Sequence, residues 1–102
     1  MEEAKNLSKI IEDEVLKFDG VSRLPKHGRK SRSGEYSHPS IKITEDDGEY
    51  IFNIDIRVKY GVNIPQLCYD LQTGLIHILM EHAGVVVKTV NIRVEGIDET
   101  GN

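Results

Sequence analysis

The chain has no tryptophan, a single cysteine (Cys68), three prolines, two phenylalanines and four tyrosines among its 102 residues. One cysteine excludes an intramolecular disulfide and points to a reducing compartment. No apolar run approaches the ~20 residues that a bilayer span requires, so any membrane location has to come through a partner. The first residues, Met1-Glu2-Glu3-Ala4-Lys5, are acidic and have no apolar segment before Leu7, which is the wrong composition for a secretory signal. A cytoplasmic protein is expected. Catalytic signatures are missing too. Gly20-Val21-Ser22 and Gly28-Arg29-Lys30-Ser31 are fragments of nucleophile-elbow and phosphate-loop motifs without their frames. No catalytic residue, resident metal or cofactor is therefore expected. The formal charge of −4, with 29% charged residues, is ordinary for a soluble protein and does not suggest a general nucleic-acid binder.

What is present is periodicity. Leu7, Ile10, Ile11, Val15 and Phe18 recur at helical spacing with Lys9, Glu12, Asp13 and Lys17 opposite, which predicts a helix over about 6–18 with Asp19-Gly20 as its stop. Val21–Leu24 is a candidate short strand. Residues 25–39 are polar, punctuated by Pro25, Gly28, Gly34 and Pro39, and predict a mobile basic loop. Ile41 and Ile43, the turn Glu45-Asp46-Asp47-Gly48, and alternating Phe52, Ile54, Ile56, Val58 and Tyr60 read as a β-hairpin with one buried and one wet face. Pro65 suits the first turn of a second helix, capped at Asn63 or Ile64, running to about Ala83 and stopping at Gly84. Its main apolar stripe is Ile64, Leu67, Cys68, Leu71, Leu75, Ile78 and Leu79. A final strand over Val85–Ile97 turns Val90, Ile92 and Val94 inward, and residues 98–102 read as a frayed tail. The sum is one α+β domain over 1–102 in two layers. A small sheet of three to four strands carries two helices on one face, in the order α-(β)-β-β-α-β, and its other face is solvated or bound to something.

Four features in this order resemble the alkaline shock protein family, the envelope stress response family of Gram-positive bacteria. They are Asp19-Gly20-Val21 after a helix, Val58-Lys59-Tyr60-Gly61-Val62-Asn63-Ile64-Pro65, Ala83-Gly84-Val85-Val86-Val87, and Val90-Asn91-Ile92-Arg93-Val94. The resemblance covers about residues 7–98 and leaves the basic loop at 25–39 unmatched. It implies a bacterial, cytoplasmic, non-enzymatic interaction or scaffold protein. Such a protein self-associates as a homo-oligomer, serves cell-envelope homeostasis, and in some relatives gathers at the membrane through a membrane-anchored protein partner.

The residues themselves offer three candidate surfaces. On a helical wheel Tyr69, Ile76 and Met80 lie beside the core stripe of the second helix. Either the first helix covers them or they form a subunit interface, for which Tyr and Met are suited. Arg23, Lys26, Arg29, Lys30 and Arg32 concentrate positive charge in an acidic protein, an arm able to contact phosphates of nucleic acid or lipid. No aromatic residue lies between Arg23 and Glu35 to stack on bases, which favours a solvated loop and makes a small nucleic-acid- or phosphate-binding protein the alternative. Arg57 and Arg93 belong to the open sheet face, a candidate docking surface whose plainer role is cross-strand ion pairing. His77 and Glu81, four apart, are too few to make a metal site, and His82 is expected toward the core near the helix end. Cys68, on the apolar stripe, is expected to be a small buried hydrophobe with a raised pKa.

Overall fold

The computed structural model describes residues 2–25 and 38–99, with 2–6 described through the backbone alone. Its elements are α1 (Glu2–Val15), β1 (Val21–Arg23), β2 (Ile41–Asp46), β3 (Glu49–Lys59), α2 (Ile64–Ala83) and β4 (Val86–Asp98). This is the expected α+β fold, with two helices on a four-stranded sheet.

β3 organises the sheet. β2 pairs antiparallel with its first half, from Asp46 opposite Glu49 to Ile41 opposite Ile54. β1 continues along the same edge, with Val21 opposite Val58. Between the two, the Asp55 N–H donates to the Ser40 carbonyl at 2.9 Å. β4 takes the other edge and runs parallel to β3 from Glu49/Val86 to Lys59/Asp98. The hairpin between β2 and β3 is closed by Asp47 and Gly48, both at positive φ (57° and 85°), the two-residue turn that matches the sheet twist. Parallel pairing needs a crossover, and α2 supplies it.

α2 is well terminated. Asn63 Oδ1 accepts from the Gln66 N–H at 3.0 Å, and Pro65 sits in the first turn. Gly84, left-handed at φ 68°, closes the other end by donating to the Met80 carbonyl. Leu67, Leu71, Leu75 and Leu79 recur every four residues and are buried. α1 contributes Leu7, Ile11 and Val15 at the same spacing. Both helices share one core with Phe52, Ile54, Ile56 and Val58 of β3, side chains whose burial stabilises the fold by roughly 1.5–3 kcal/mol each. α2 lies mainly over β4 and α1 over β2. The thinnest dimension, 19 Å, is one helix layer on one sheet, since such layers stack ~10 Å apart.

Element boundaries shift in three places. α1 begins at Glu2 and ends at Val15, not 6–18; a turn follows, with the Phe18 N–H bonded to the Val15 carbonyl. Gly20 is not a left-handed helix stop. A Cβ there would lie 2.9 Å from Leu67 Cδ2, so the residue is small because the start of α2 crosses it closely. Gly74 is similar, its bare backbone accepting the Phe18 ring. β4 extends through Asp98, so that residue is anchored and not part of a frayed tail. Of the proposed loop, residues 26–37 lie outside the described residues, and so do 100–102 of the tail.

The two described ends of that loop meet at a buried polar joint. The Ser40 hydroxyl donates to the Pro25 carbonyl, the Ser40 N–H donates to His38 Nδ1 at 3.1 Å, and the His38 N–H reaches Ser8 Oγ of α1 at 3.4 Å. Ser8, His38 and Ser40 are all buried, so their bonds replace the water that burial removes.

Candidate interaction surfaces

Along β3, residues with odd numbers face away from the helices, and Asn53, Asp55, Arg57 and Lys59 are each half-buried between neighbouring strands. Their partners across β4 follow from the parallel register. Asn91 Nδ2 donates to Asn53 Oδ1 at 3.0 Å, and Arg93 Nε lies 3.4 Å from Asp55 Oδ1. At the end of the sheet the pairs merge into a cluster. Asp98 accepts from Ser22 Oγ at 2.7 Å, from Arg23 Nε at 3.2 Å and from Arg57 Nε at 2.8 Å. Arg57 also faces Glu95 at 3.6 Å.

These contacts hold the Asp98 carboxyl well below the usual range, at about 2. The Ser22 hydrogen bond is the largest cause, the Arg57 hydrogen bond follows, and Arg23 and the charge of Arg57 add to them. The Arg57 guanidinium lies against the backbone of Gly96, where a Cβ would sit 2.5 Å from Nη1. Two strand irregularities frame the face, and one of them doubles Glu95 and Gly96 opposite Arg57. Asp98, Ser22 and Gly96 do not stand out in the sequence.

The candidate docking arginines therefore differ. Arg57 is committed to Asp98 and Glu95, with its side chain only 23% exposed. Arg93 is paired with Asp55 but largely in solvent. Arg23, read as part of the basic arm, is tied to Asp98 on the sheet. Lys26, Arg29, Lys30 and Arg32 lie outside the described residues.

The candidate interface on α2 divides as well. Tyr69 is 62% and Met80 55% exposed, while Ile76 is half-buried against the core. The flank carrying them overhangs β4, and Gln72 on the same side donates to the Val90 carbonyl at 2.8 Å. β4 has thirteen residues and a ladder partner only in β3 among the described strands, so its second edge offers main-chain donors and acceptors.

The remaining candidates carry little chemistry. His77 Nε2 and Glu81 Oε2 are 3.2 Å apart on the exposed face, and among the described residues no three His, Cys, Asp or Glu side chains converge to hold a metal. His82 is exposed, not turned to the core, at the last turn before the helix ends at Ala83. Cys68 is half-buried and burial pushes its thiol pKa up, which lowers its nucleophilic fraction. No described helix is long and apolar enough to cross a membrane.

The model of the alkaline shock protein family, described as having cell envelope-related function, matches residues 3–99. Two curated proteins match at 35% identity over 54 residues, 53% of this chain. One is a 2-heptyl-3-hydroxy-4(1H)-quinolone synthase of Mycobacteroides abscessus, 14% of which is covered. The other is the uncharacterized protein Spy1535 of Streptococcus pyogenes serotype M6, 42% of which is covered. This chain thus spans less than half the length of either relative. No solved structure matches.

Proposed function

This chain belongs to the alkaline shock protein family, a family of cell envelope-related function, and from that premise we propose that it is a self-associating interaction module that works by binding and not by catalysis. In this reading it acts in the cytoplasm and reaches the envelope through a membrane-anchored protein partner. The observation that carries the proposal is the pairing of exposed Tyr69 and Met80 with the long open edge of β4 beneath them. Large apolar side chains beside an unpaired strand edge are costly in a monomer and useful at an interface. The short match to a synthase covers too little of that enzyme to transfer its chemistry.

Light scattering during size-exclusion chromatography tests self-association. The wild-type protein elutes at a multiple of the 11.5 kDa chain mass. Tyr69→Asp and Met80→Asp each shift it toward the monomer while the circular dichroism spectrum stays unchanged, because both side chains are exposed and leave the core intact. A wild-type protein that remains monomeric at high concentration, or variants of unchanged mass, removes the proposal.

A further inference from the structure

On the side of α2 away from β4, a shallow cleft opens between the turn after α1 and the first turns of α2. Phe18, Val62 and Leu67 give it an apolar floor. Its volume is about 310 Å³, enough for an aliphatic side chain and at the lower end of what ligand pockets occupy.

The cleft is already formed, and hydrogen bonds tie its walls to the fold. The Val21 N–H is bonded to the Phe18 carbonyl and the Lys59 N–H to the Gly20 carbonyl, so both ends of its first wall are pinned to the fold. The opposite wall is the capped start of α2, held by Asn63. Gly20 sets the floor depth, because a Cβ there would stand 2.9 Å from Leu67 Cδ2 and 3.2 Å from Val62 Cγ1.

The rim is one-signed. Asp19 and Asp70 are exposed carboxylates, and no Lys, Arg or His lines the cleft. Among the described residues neither is ion-paired; the Asp70 carboxylate accepts a neutral hydrogen bond from Gln66 Nε2 at 2.9 Å. Apolar floor and acidic rim together select for an apolar group with a cation next to it. Where apolar surface and complementary charge lie together, the charge sets specificity and the apolar contact supplies affinity.

We propose that this cleft docks a peptide segment of a partner protein in which an aliphatic side chain stands beside an arginine or lysine, the first entering the floor and the second meeting Asp19 and Asp70. The cleft opens on another side of α2 from Met80 and the β4 edge, so the protein can hold another chain here while self-associating there. The proposal goes beyond the interaction role given above and does not depend on self-association.

The test is a titration of the 15N-labelled full chain with the blocked tetrapeptide acetyl-Gly-Leu-Arg-Gly-amide into the millimolar range, followed by amide shifts. The leucine–glutamate and alanine–arginine versions serve as controls. Shifts centred on residues 18–20, 62, 63, 66, 67 and 70, with Met80 and β4 unmoved, are expected for the first peptide, with at least tenfold weaker binding for each control. Asp19→Asn together with Asp70→Asn lowers affinity about tenfold or more and leaves the spectrum folded, since both side chains are exposed. Equal binding of the glutamate peptide, shifts centred elsewhere, or no shift with any peptide overturns the proposal.

Discussion

Asp98 shows how much one carboxylate can join. It receives hydrogen bonds from β1 (Ser22 and Arg23) and β3 (Arg57), although it stands at the end of β4. Its pKa falls from an ordinary 3.8 to about 2 on folding, so between those values the unfolded chain binds more protons than the folded one. Stability from this group is therefore fully present above pH ~4 and is lost as pH falls through about 2. Urea denaturation of wild type and Asp98→Asn at pH 6 and again near pH 2 checks this. The variant unfolds at lower urea at pH 6, and the gap between the two narrows as pH falls. Gly96 is coupled to the same cluster. Gly96→Ala pushes the flexible Arg57 guanidinium away from Gly96 and Asp98 and costs about 1 kcal/mol, the low end for overpacking. In an Arg57→Ala background the penalty shrinks, because the clash is gone; a double-mutant cycle reads the difference.

Elements are legible in the sequence where periodicity meets a terminator. α2 reads correctly at both ends because Asn63, Pro65 and Gly84 each act through local backbone chemistry. Asn63→Ala removes the acceptor for the Gln66 N–H and costs about 1 kcal/mol in chemical denaturation, with the helix still formed by its buried leucines. The end of α1 reads wrongly because Gly20 looks like a helix stop, while its size answers a crossing by Leu67, far along the chain. The hairpin is legible through Asp47-Gly48 and alternation. Alternation carries no direction, however, so the parallel register of β4 on β3 is not readable from it, nor is the Arg57–Asp98 cluster that the register creates. The cleft is equally hidden, since Phe18 and Leu67 read as core residues of two different helices and Val62 as part of the break before the second.

At the scale of the molecule, the two-layer form leaves three surfaces of different chemistry. The open sheet face is laced with opposite charges: Arg93 to Asp55, Lys88 to Asp46, Arg57 to Asp98. The more exposed of these, Arg93 to Asp55 and Lys88 to Asp46, add little stability each, but they occupy charges a docking partner would otherwise meet. The α2 flank is apolar at Tyr69 and Met80, and the cleft is apolar within an acidic rim. Separate surfaces of distinct chemistry fit the interaction role proposed above better than one broadly sticky surface would.

Because β3 is bonded along both edges and every other strand is bonded to β3, solvent deuterium should find the sheet unevenly guarded. Amides of β3 open only when the domain unfolds as a whole, so their exchange rates report global stability. In β4, amides directed at β3 share that protection, whereas alternate ones face its outer edge and exchange quickly in the monomer. In an assembly closed over β4, those fast amides slow while β3 is unaffected. Comparing dilute and concentrated samples by two-dimensional NMR thus reads, residue by residue, whether the edge is where copies meet; uniform slowing across the sheet would place the contact elsewhere.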